Sequence, residues 1–364
     1  VEVGIVGLPN VGKSTLFNSL SRASAPASNY PYCTIEPNVA VAEVKDRRLV
    51  EIAEIVGPKI VTHPILKFVD IAGLPRGASR GEGLGNMFLS HIRSVDAVVH
   101  VLRCFADASV IHVEGEVDPV RDLEIVETEL FLSDIQVLQR RIAKLEKVAK
   151  SGDQHARKEM DFLRQVSDVL DSARRYEAPE DLEPEMAAVL NEIRLLSSKP
   201  ALCVANIGDD PTGEKALACV DAVSKAAAAR NTKSLTVSAK LECELADLPA
   251  EEGADLLEEM GFDSSALNRF VRACYDLLQV VTFFTIKGEE SRGWAVRSGV
   301  CVRDAAGKIH TDMRDKFVCA EVVSFEDFVS CRGISAAREK GLVRTEGKHY
   351  IVRDGDIVLI RFGR

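Results

Sequence analysis

The run Gly7-Leu8-Pro9-Asn10-Val11-Gly12-Lys13-Ser14 sets glycines, a lysine and a hydroxyl at the spacing of a phosphate-binding loop. Its chemistry is electrostatic. Glycine lets the backbone bend until successive amides, here those of Asn10, Val11, Gly12 and Thr15 with their neighbours, converge on phosphate oxygens. Lys13 supplies a cation for the β- and γ-phosphates and so is also a candidate catalytic group, and the Ser14 hydroxyl is a ligand for Mg²⁺, the expected cofactor. Asp70, opening Asp70-Ile71-Ala72-Gly73, can hold a metal-bound water, and the Gly73 amide can meet a γ-phosphate. In the loop from Tyr30 to Pro37, Thr34 is the candidate for a second metal-binding hydroxyl, one that leaves when the γ-phosphate leaves.

Two later motifs are placed to read a base. Asn206-Ile207-Gly208-Asp209 follows an apolar run, and Ser238-Ala239-Lys240 follows another, so Asn206, Ile207, Asp209 and Ser238 are candidate base-binding residues. Guanine-specific sites of this kind carry Asn-Lys-x-Asp, in which the aspartate accepts hydrogen bonds from guanine. Ile207 stands where that lysine would be, while Asp209 retains the acceptor, so the motif leaves adenine and guanine both open. Hydrolysis needs a group to orient water, and the position after Asp-x-x-Gly that often holds glutamine is Leu74, which cannot do it. Slow turnover is the expectation, with His91 and His112 as the histidines to weigh.

These residues need strands and helices to hold them. Val3, Ile5 and Val6 form a short strand ahead of the phosphate loop, and Leu16 and Leu20 lie one helical turn apart after it. Val39 to Val44, Leu66 to Asp70, Ala97 to Leu102 and Ala201 to Ala205 read as further buried strands, which makes an α/β fold of the mononucleotide-binding type. Within residues 122–195 the pattern changes, with Leu138, Ile142, Leu145 and Ala149, then Met160, Leu163, Val166 and Leu170, at helical spacing on either side of Ser151-Gly152-Asp153. An inserted antiparallel helical hairpin accounts for this; two helices packed on the sheet is the alternative. From about residue 281 the segments become short and β-rich, with candidate strands at Phe283 to Ile286, Trp294 to Val296, Phe317 to Val323 and Tyr350 to Leu359. The expected organisation is a nucleotide domain of residues 1–121 and 196–280, a helical insert of 122–195, and a C-terminal domain of 281–364.

With 364 residues, 46% hydrophobic and 28% charged, the chain has the composition of a soluble multidomain protein with no membrane span and no signal peptide, expected in the cytoplasm. Nine cysteines without a CxxC pair argue against a disulfide framework and a zinc site, and most are expected to be buried thiols. The net charge of −10 excludes a uniformly nucleic-acid-binding surface. Residues 281–364 nevertheless carry 15 Lys and Arg against 12 Asp and Glu, so contact with RNA or another anionic surface is expected there first.

The chain resembles the YchF family, the Obg-like ATPases of the translation-factor class of P-loop proteins, over its full length. The residues that carry this are Asn10 to Thr15, Cys33-Thr34-Ile35-Glu36-Pro37-Asn38, Asp70 to Leu74, the stretch from Gly81 to Phe88, Val323 to Phe328, and Gly347 to Asp356. The resemblance implies a P-loop domain with a coiled insert and a ubiquitin-like α+β (TGS) domain at the C-terminus. It further implies hydrolysis of ATP in preference to GTP, and association with the ribosome through its large subunit. In that family a histidine in a mobile loop matches His112, which makes His112 the better candidate for orienting water. The family's base motif is Asn-x-x-Glu, and Asp209 departs from it. Three activities therefore stand side by side: an ATPase switch, a GTPase, and a nucleotide-regulated binding module with incidental hydrolysis.

Overall fold

The computed structural model describes residues 1–22, 38–73, 84–107, 110–172, 174–208, 213–259 and 265–363. Its first half runs β1 (Glu2–Val6), α1 (Lys13–Arg22), β2 (Val39–Glu43), α2 (Arg47–Val56), β3 (Ile60–Thr62), β4 (Ile65–Asp70), α3 (Leu84–Ser94), β5 (Ala97–Arg103), α4 (Pro119–Ala149), α5 (Gln154–Asp171) and α6 (Pro184–Ile193). There follow β6 (Ala201–Asn206), α7 (Glu214–Ala229), β7 (Lys233–Val237), α8 (Ala239–Asp247), α9 (Ala250–Glu259), α10 (Ala266–Leu277), β8 (Val280–Lys287) and β9 (Glu290–Arg297). The chain ends with α11 (Val302–Ile309), α12 (Thr311–Asp315), β10 (Phe317–Val323), α13 (Phe325–Ser330), α14 (Ile334–Glu339), β11 (Arg344–Glu346) and β12 (Ile357–Phe362). Among the described residues no helix is long and apolar enough to cross a membrane.

One sheet has the order β2-β4-β1-β5-β6-β7, with β1, β5, β6 and β7 paired in parallel. Every residue of β5 and β6 is buried, as expected of central parallel strands covered on both faces. The loops that leave the C-terminal ends of β1, β4, β5, β6 and β7 carry the predicted site residues. That is the end at which open parallel sheets bind ligands.

Helix α4 starts three residues before the expected insert because Asp118 accepts from the Val120 and Arg121 amides and Pro119 takes the first helical position. Gly152, at φ +95°, turns the chain, and Asp153 caps α5 through the His155 and Ala156 amides. Leu138, Leu163, Val166 and Leu170 are buried in one apolar cluster with Phe131 and Ile135, and Ile142 and Leu145 pack against it. The periodic positions of the two helices therefore face each other.

The described chain forms two compact units, one with Val1–Arg22 and Phe68–Leu267, the other with Val41–Lys67 and Asn268–Arg364. The second is wider than residues 281–364. Its sheet, ordered β11-β10-β12-β8-β9-β3, ends in β3, which pairs in parallel with β9 at Ile60 and Glu290. Consecutive residues on β8 point to opposite faces: Phe283 joins Val302, Val322 and Val358, whereas Phe284 joins Leu49, Ile52 and Phe328. Helix α2 thus supplies part of this unit's core. The expected strand from Tyr350 to Leu359 begins only at Ile357, because the Asp356 carboxylate accepts from the Arg353 amide and the Tyr350 hydroxyl and holds the preceding residues in a turn. The cysteines also depart from expectation. Of the eight described, Cys104, Cys203 and Cys274 are buried and the other five are half-buried.

Candidate nucleotide and metal site

Helix α1 opens at Lys13, so the first amides of the helix have no carbonyl behind them to bond, and they face the loop that leaves β1. The loop is held by close approach. A Cβ on Gly7, at φ +155°, would lie 2.5 Å from the Val101 carbonyl oxygen, and one on Gly12, at φ +95°, would lie 2.1 Å from Asn206 Nδ2. Only glycine fits either position. Asn10 adopts φ +63°, and its side-chain amide donates to the Ile111 carbonyl at 3.1 Å. Val11 is fully buried, and Thr15 is half-buried with its carbonyl accepting from the Cys243 thiol at 3.2 Å.

Lys13 is buried and donates to the Leu8 carbonyl at 2.8 Å, across the mouth of its own loop. Burial pushes its ammonium down to about 8, against the opposing pull of Asp70. A Cβ on Gly73 would lie 3.3 Å from Lys13 Nζ and 3.2 Å from the Pro9 nitrogen, so the backbone after β4 touches the phosphate loop. Ser14 Oγ donates to Asp70 Oδ2 at 3.3 Å. Asp70 Oδ1 is buried and has no hydrogen-bond partner among the described residues. Burial pushes the Asp70 carboxyl up, with Lys13 and the Ser14 hydrogen bond working against it.

An unpaired buried carboxylate oxygen beside a serine hydroxyl is costly alone and suited to a hard divalent cation. The donor set fits Mg²⁺, which takes few protein ligands and keeps several waters. Thr34, the expected second hydroxyl, lies outside the described residues, as do Leu74 and Asp209.

Asn206, at the end of β6, is buried and joins two loops. Its Nδ2 donates to the Val11 carbonyl at 2.8 Å, and its Oδ1 accepts from the Ala239 amide at 3.1 Å. This side chain fixes the phosphate loop to the Ser238-Ala239-Lys240 turn. Ile207 anchors its amide on the Val237 carbonyl at 2.9 Å and packs its side chain toward Leu123 and Val223, which leaves backbone to line a base pocket. Ser238 caps α8 by accepting from the Leu241 amide.

His112 is buried, and both ring nitrogens are occupied. Nδ1 accepts from the Glu114 amide at 3.1 Å, which leaves the proton on Nε2, 2.8 Å from Asp122 Oδ2. In this arrangement the imidazole has no nitrogen free for water. His91 is exposed on α3.

Two residues that motif reading overlooked organise this side of the site. Arg103 is 2% exposed and donates to the carbonyls of Phe105, Asp107 and Val110, with its guanidinium 4.5 Å from the Phe105 ring centroid. Asp122 is the partner of His112. An arginine ending a strand that is apolar apart from His100 was the available signal for Arg103; nothing local marks Asp122. The loops after β5 and β6 border an open cleft of about 1050 Å³ lined by Arg103, Phe105, His112, Gly208, Gly213 and Cys219, which is at the upper end of the sizes of small-molecule sites.

Comparison with known proteins bears on the family and the fold. A family model described as a 50S ribosome-binding GTPase matches residues 2–138, and the YchF-GTPase_C model, described as a protein of unknown function (DUF933), matches residues 280–363. The chain is 43% identical to the "Ribosome-binding ATPase YchF" of Bacillus subtilis, with all of this chain and 99% of the relative covered. It is 44% identical to the protein of the same name in Escherichia coli O157:H7, with 99% of each covered. A solved structure titled as the Schizosaccharomyces pombe YchF GTPase matches with a TM-score of 0.88 and 32% identity, over 99% of this chain and 97% of that one.

Proposed function

The chain belongs to the YchF family, and on that premise we propose that it is a cytoplasmic, Mg²⁺-dependent P-loop ATPase that works as a nucleotide switch on the ribosome, at its large subunit. The observation that carries the nucleotide chemistry is the cluster of Lys13, Ser14, Asp70 and Gly73, with Asp70 Oδ1 buried and unpaired.

The amides of Asn10 to Thr15 bind the phosphates, and Lys13 swings from the Leu8 carbonyl to the β- and γ-phosphate oxygens. Ser14 and Thr34, with Asp70 acting through water, would hold Mg²⁺, which would neutralise charge developing on the phosphate oxygens. The Gly73 amide senses the γ-phosphate. Asn206, the backbone of Ile207, Asp209 and Ser238 bound the base. His112 orients the attacking water after exchanging Asp122 for that water. Leu74 adds nothing to this step, so intrinsic turnover is slow. The α4 and α5 hairpin and a TGS-like C-terminal domain are the elements that meet the ribosome.

A second reading, GTP hydrolysis, has one residue in its favour: Asp209 is the carboxylate a guanine site uses. The names of the relatives divide the same way, ATPase for the bacterial proteins and GTPase for the fission-yeast structure. Competition of ATP and GTP against a fluorescent nucleotide decides it. ATP displacing the probe at lower concentration supports the adenine assignment; tighter GTP binding removes it and makes Asp209 the cause.

A further inference from the structure

Charge on the α4 and α5 hairpin is concentrated in a way the whole-chain balance hides. Residues 139–164 hold eight Lys and Arg against four Asp and Glu, in a chain of net charge −10. The four acids are already committed. Glu146 pairs with Arg164, Glu159 with Arg141, Asp161 lies 3.5 Å from Arg164, and Asp153 caps α5. The cations Arg140, Lys144, Lys147, Lys150 and Arg157 are all exposed and have no ion pair among the described residues.

Their placement follows from helical geometry. Leu138, Ile142, Leu145 and Ala149 form the face of α4 turned toward the hairpin core. At about 100° per residue, Arg140, Lys144 and Lys147 fall on the opposite side, within a stripe ~10 Å long that no carboxylate interrupts. Lys150 and Arg157 extend the charge to the tip, where they line a shallow cleft of about 400 Å³ with Glu146, Met160, Asp161 and Arg164. In the C-terminal unit, where composition first pointed, the charges are mixed. Arg338 and Arg361 both bind Glu321, Arg48 binds Asp354, and Arg314 binds Asp315. Lys308, Lys340 and Lys348 are exposed with no ion pair among the described residues, but they lie on or beside separate elements rather than along one helix face.

We propose that the outward face of this hairpin, from Arg140 to Lys147 and on to Lys150 and Arg157 at the tip, docks on the phosphate backbone of RNA. Unpaired cations in a row, without aromatic side chains between them, suit phosphates and not bases, so the contact reads backbone and shape rather than sequence. An acidic protein surface would be met less well by a stripe this narrow. The proposal rests on the ribosome reading for its setting and names the surface and chemistry of contact.

The test uses the full chain and two probes, a fluorescent 20-base-pair RNA duplex and purified ribosomes. The triple variant R140A/K144A/K147A should bind the duplex about tenfold or more weakly, and the slope of log affinity against log salt should fall by about 3. Its ATPase rate and melting temperature should match those of the unaltered chain, and Lys225→Ala, on the exposed face of α7, should change neither probe. Equal duplex binding by the triple variant overturns the proposal. So does loss of ribosome sedimentation with no duplex binding by either protein, which would make the face a protein contact. If the unaltered chain binds the duplex through these residues but never sediments with ribosomes, the hairpin assignment stands and the ribosome reading fails.

Discussion

The phosphate loop and the loop bearing His112 are joined by a hydrogen bond from Asn10 to the Ile111 carbonyl, yet they are prepared for their work to different degrees. On the phosphate side the backbone is already fixed, and only the Lys13 side chain, held on the Leu8 carbonyl, has to move. Gly7 and Gly12 hold conformations that only glycine takes without strain, Asn206 clamps the loop from behind, and Asp70 Oδ1 waits unpaired. On the other side both ring nitrogens of His112 are satisfied by the protein itself, through Asp122 and the Glu114 amide. The loop that would bind phosphate is preorganised apart from one lysine side chain, whereas His112 has to give up a buried bond to a carboxylate before it can meet water. Affinity and turnover should therefore respond to different substitutions.

The largest effect is expected from Lys13→Ala. It removes the cation proposed to reach the β- and γ-phosphates, and nucleotide affinity should fall about 100-fold or more in a titration with a fluorescent nucleotide. Gly12→Ala should do nearly the same by driving a methyl into Asn206. Retained affinity in both would mean that the phosphate side is not the binding side. His112→Ala should instead slow single-turnover hydrolysis, by about 10²-fold, and leave affinity within a factor of two or so. Unchanged turnover would remove His112 from the mechanism and erase half of the contrast.

The pH dependence sharpens the phosphate side further. With its ammonium depressed to about 8, Lys13 in the free protein loses its proton above that pH, whereas phosphate oxygens favour the charged form. Affinity should be flat below pH 8 and fall by up to about tenfold per unit above it. The sign for stability is opposite. The unfolded chain holds this proton up to the ordinary lysine range, so between pH 8 and about 10.5 the unfolded state binds more protons and the free protein gains stability as pH rises. A Lys13→Met variant should lose both dependences in binding and melting measurements.

How much of this could be read from the chain follows the same division. Lys13, Ser14, Asp70 and Gly73 were legible because a tight phosphate turn restricts residue type at each step and strand ends place the rest. The insert's packing face was legible through its helical period at Leu138, Leu163, Val166 and Leu170. The pairing of β3 with β9 was not, since Ile60 to Thr62 is a short apolar segment whose partner lies about 230 residues away. Nor was the turn at Tyr350 to Asp356, where a carboxylate accepting local amide and hydroxyl hydrogens overrides β-favouring residues. The hairpin's row of cations was not legible from composition, because counting charges does not show which are already paired, as Arg338 and Arg361 are on Glu321.

The smallest predicted effect bears most closely on the comparison. If the bond between His112 and Asp122 is a resting clasp, weakening it should not impair hydrolysis; if Asp122 instead orients His112 during the reaction, weakening it should. Asp122→Asn separates the two. The amide keeps the volume and an acceptor oxygen but removes the negative charge, which costs about 1 kcal/mol of a charge-assisted hydrogen bond. Under the clasp reading the free form of His112 becomes several-fold more populated and turnover rises by about that factor, with nucleotide affinity unchanged. A fall in turnover would join Asp122 to the hydrolytic machinery, as a residue that positions His112. The melting temperature guards against a trivial answer, since Asp122 is almost fully buried and also bonded to Arg121. Turnover and melting temperature would fall together if the substitution merely loosened the start of α4, so only a change in turnover at an unchanged melting temperature separates a clasp from an orienting contact.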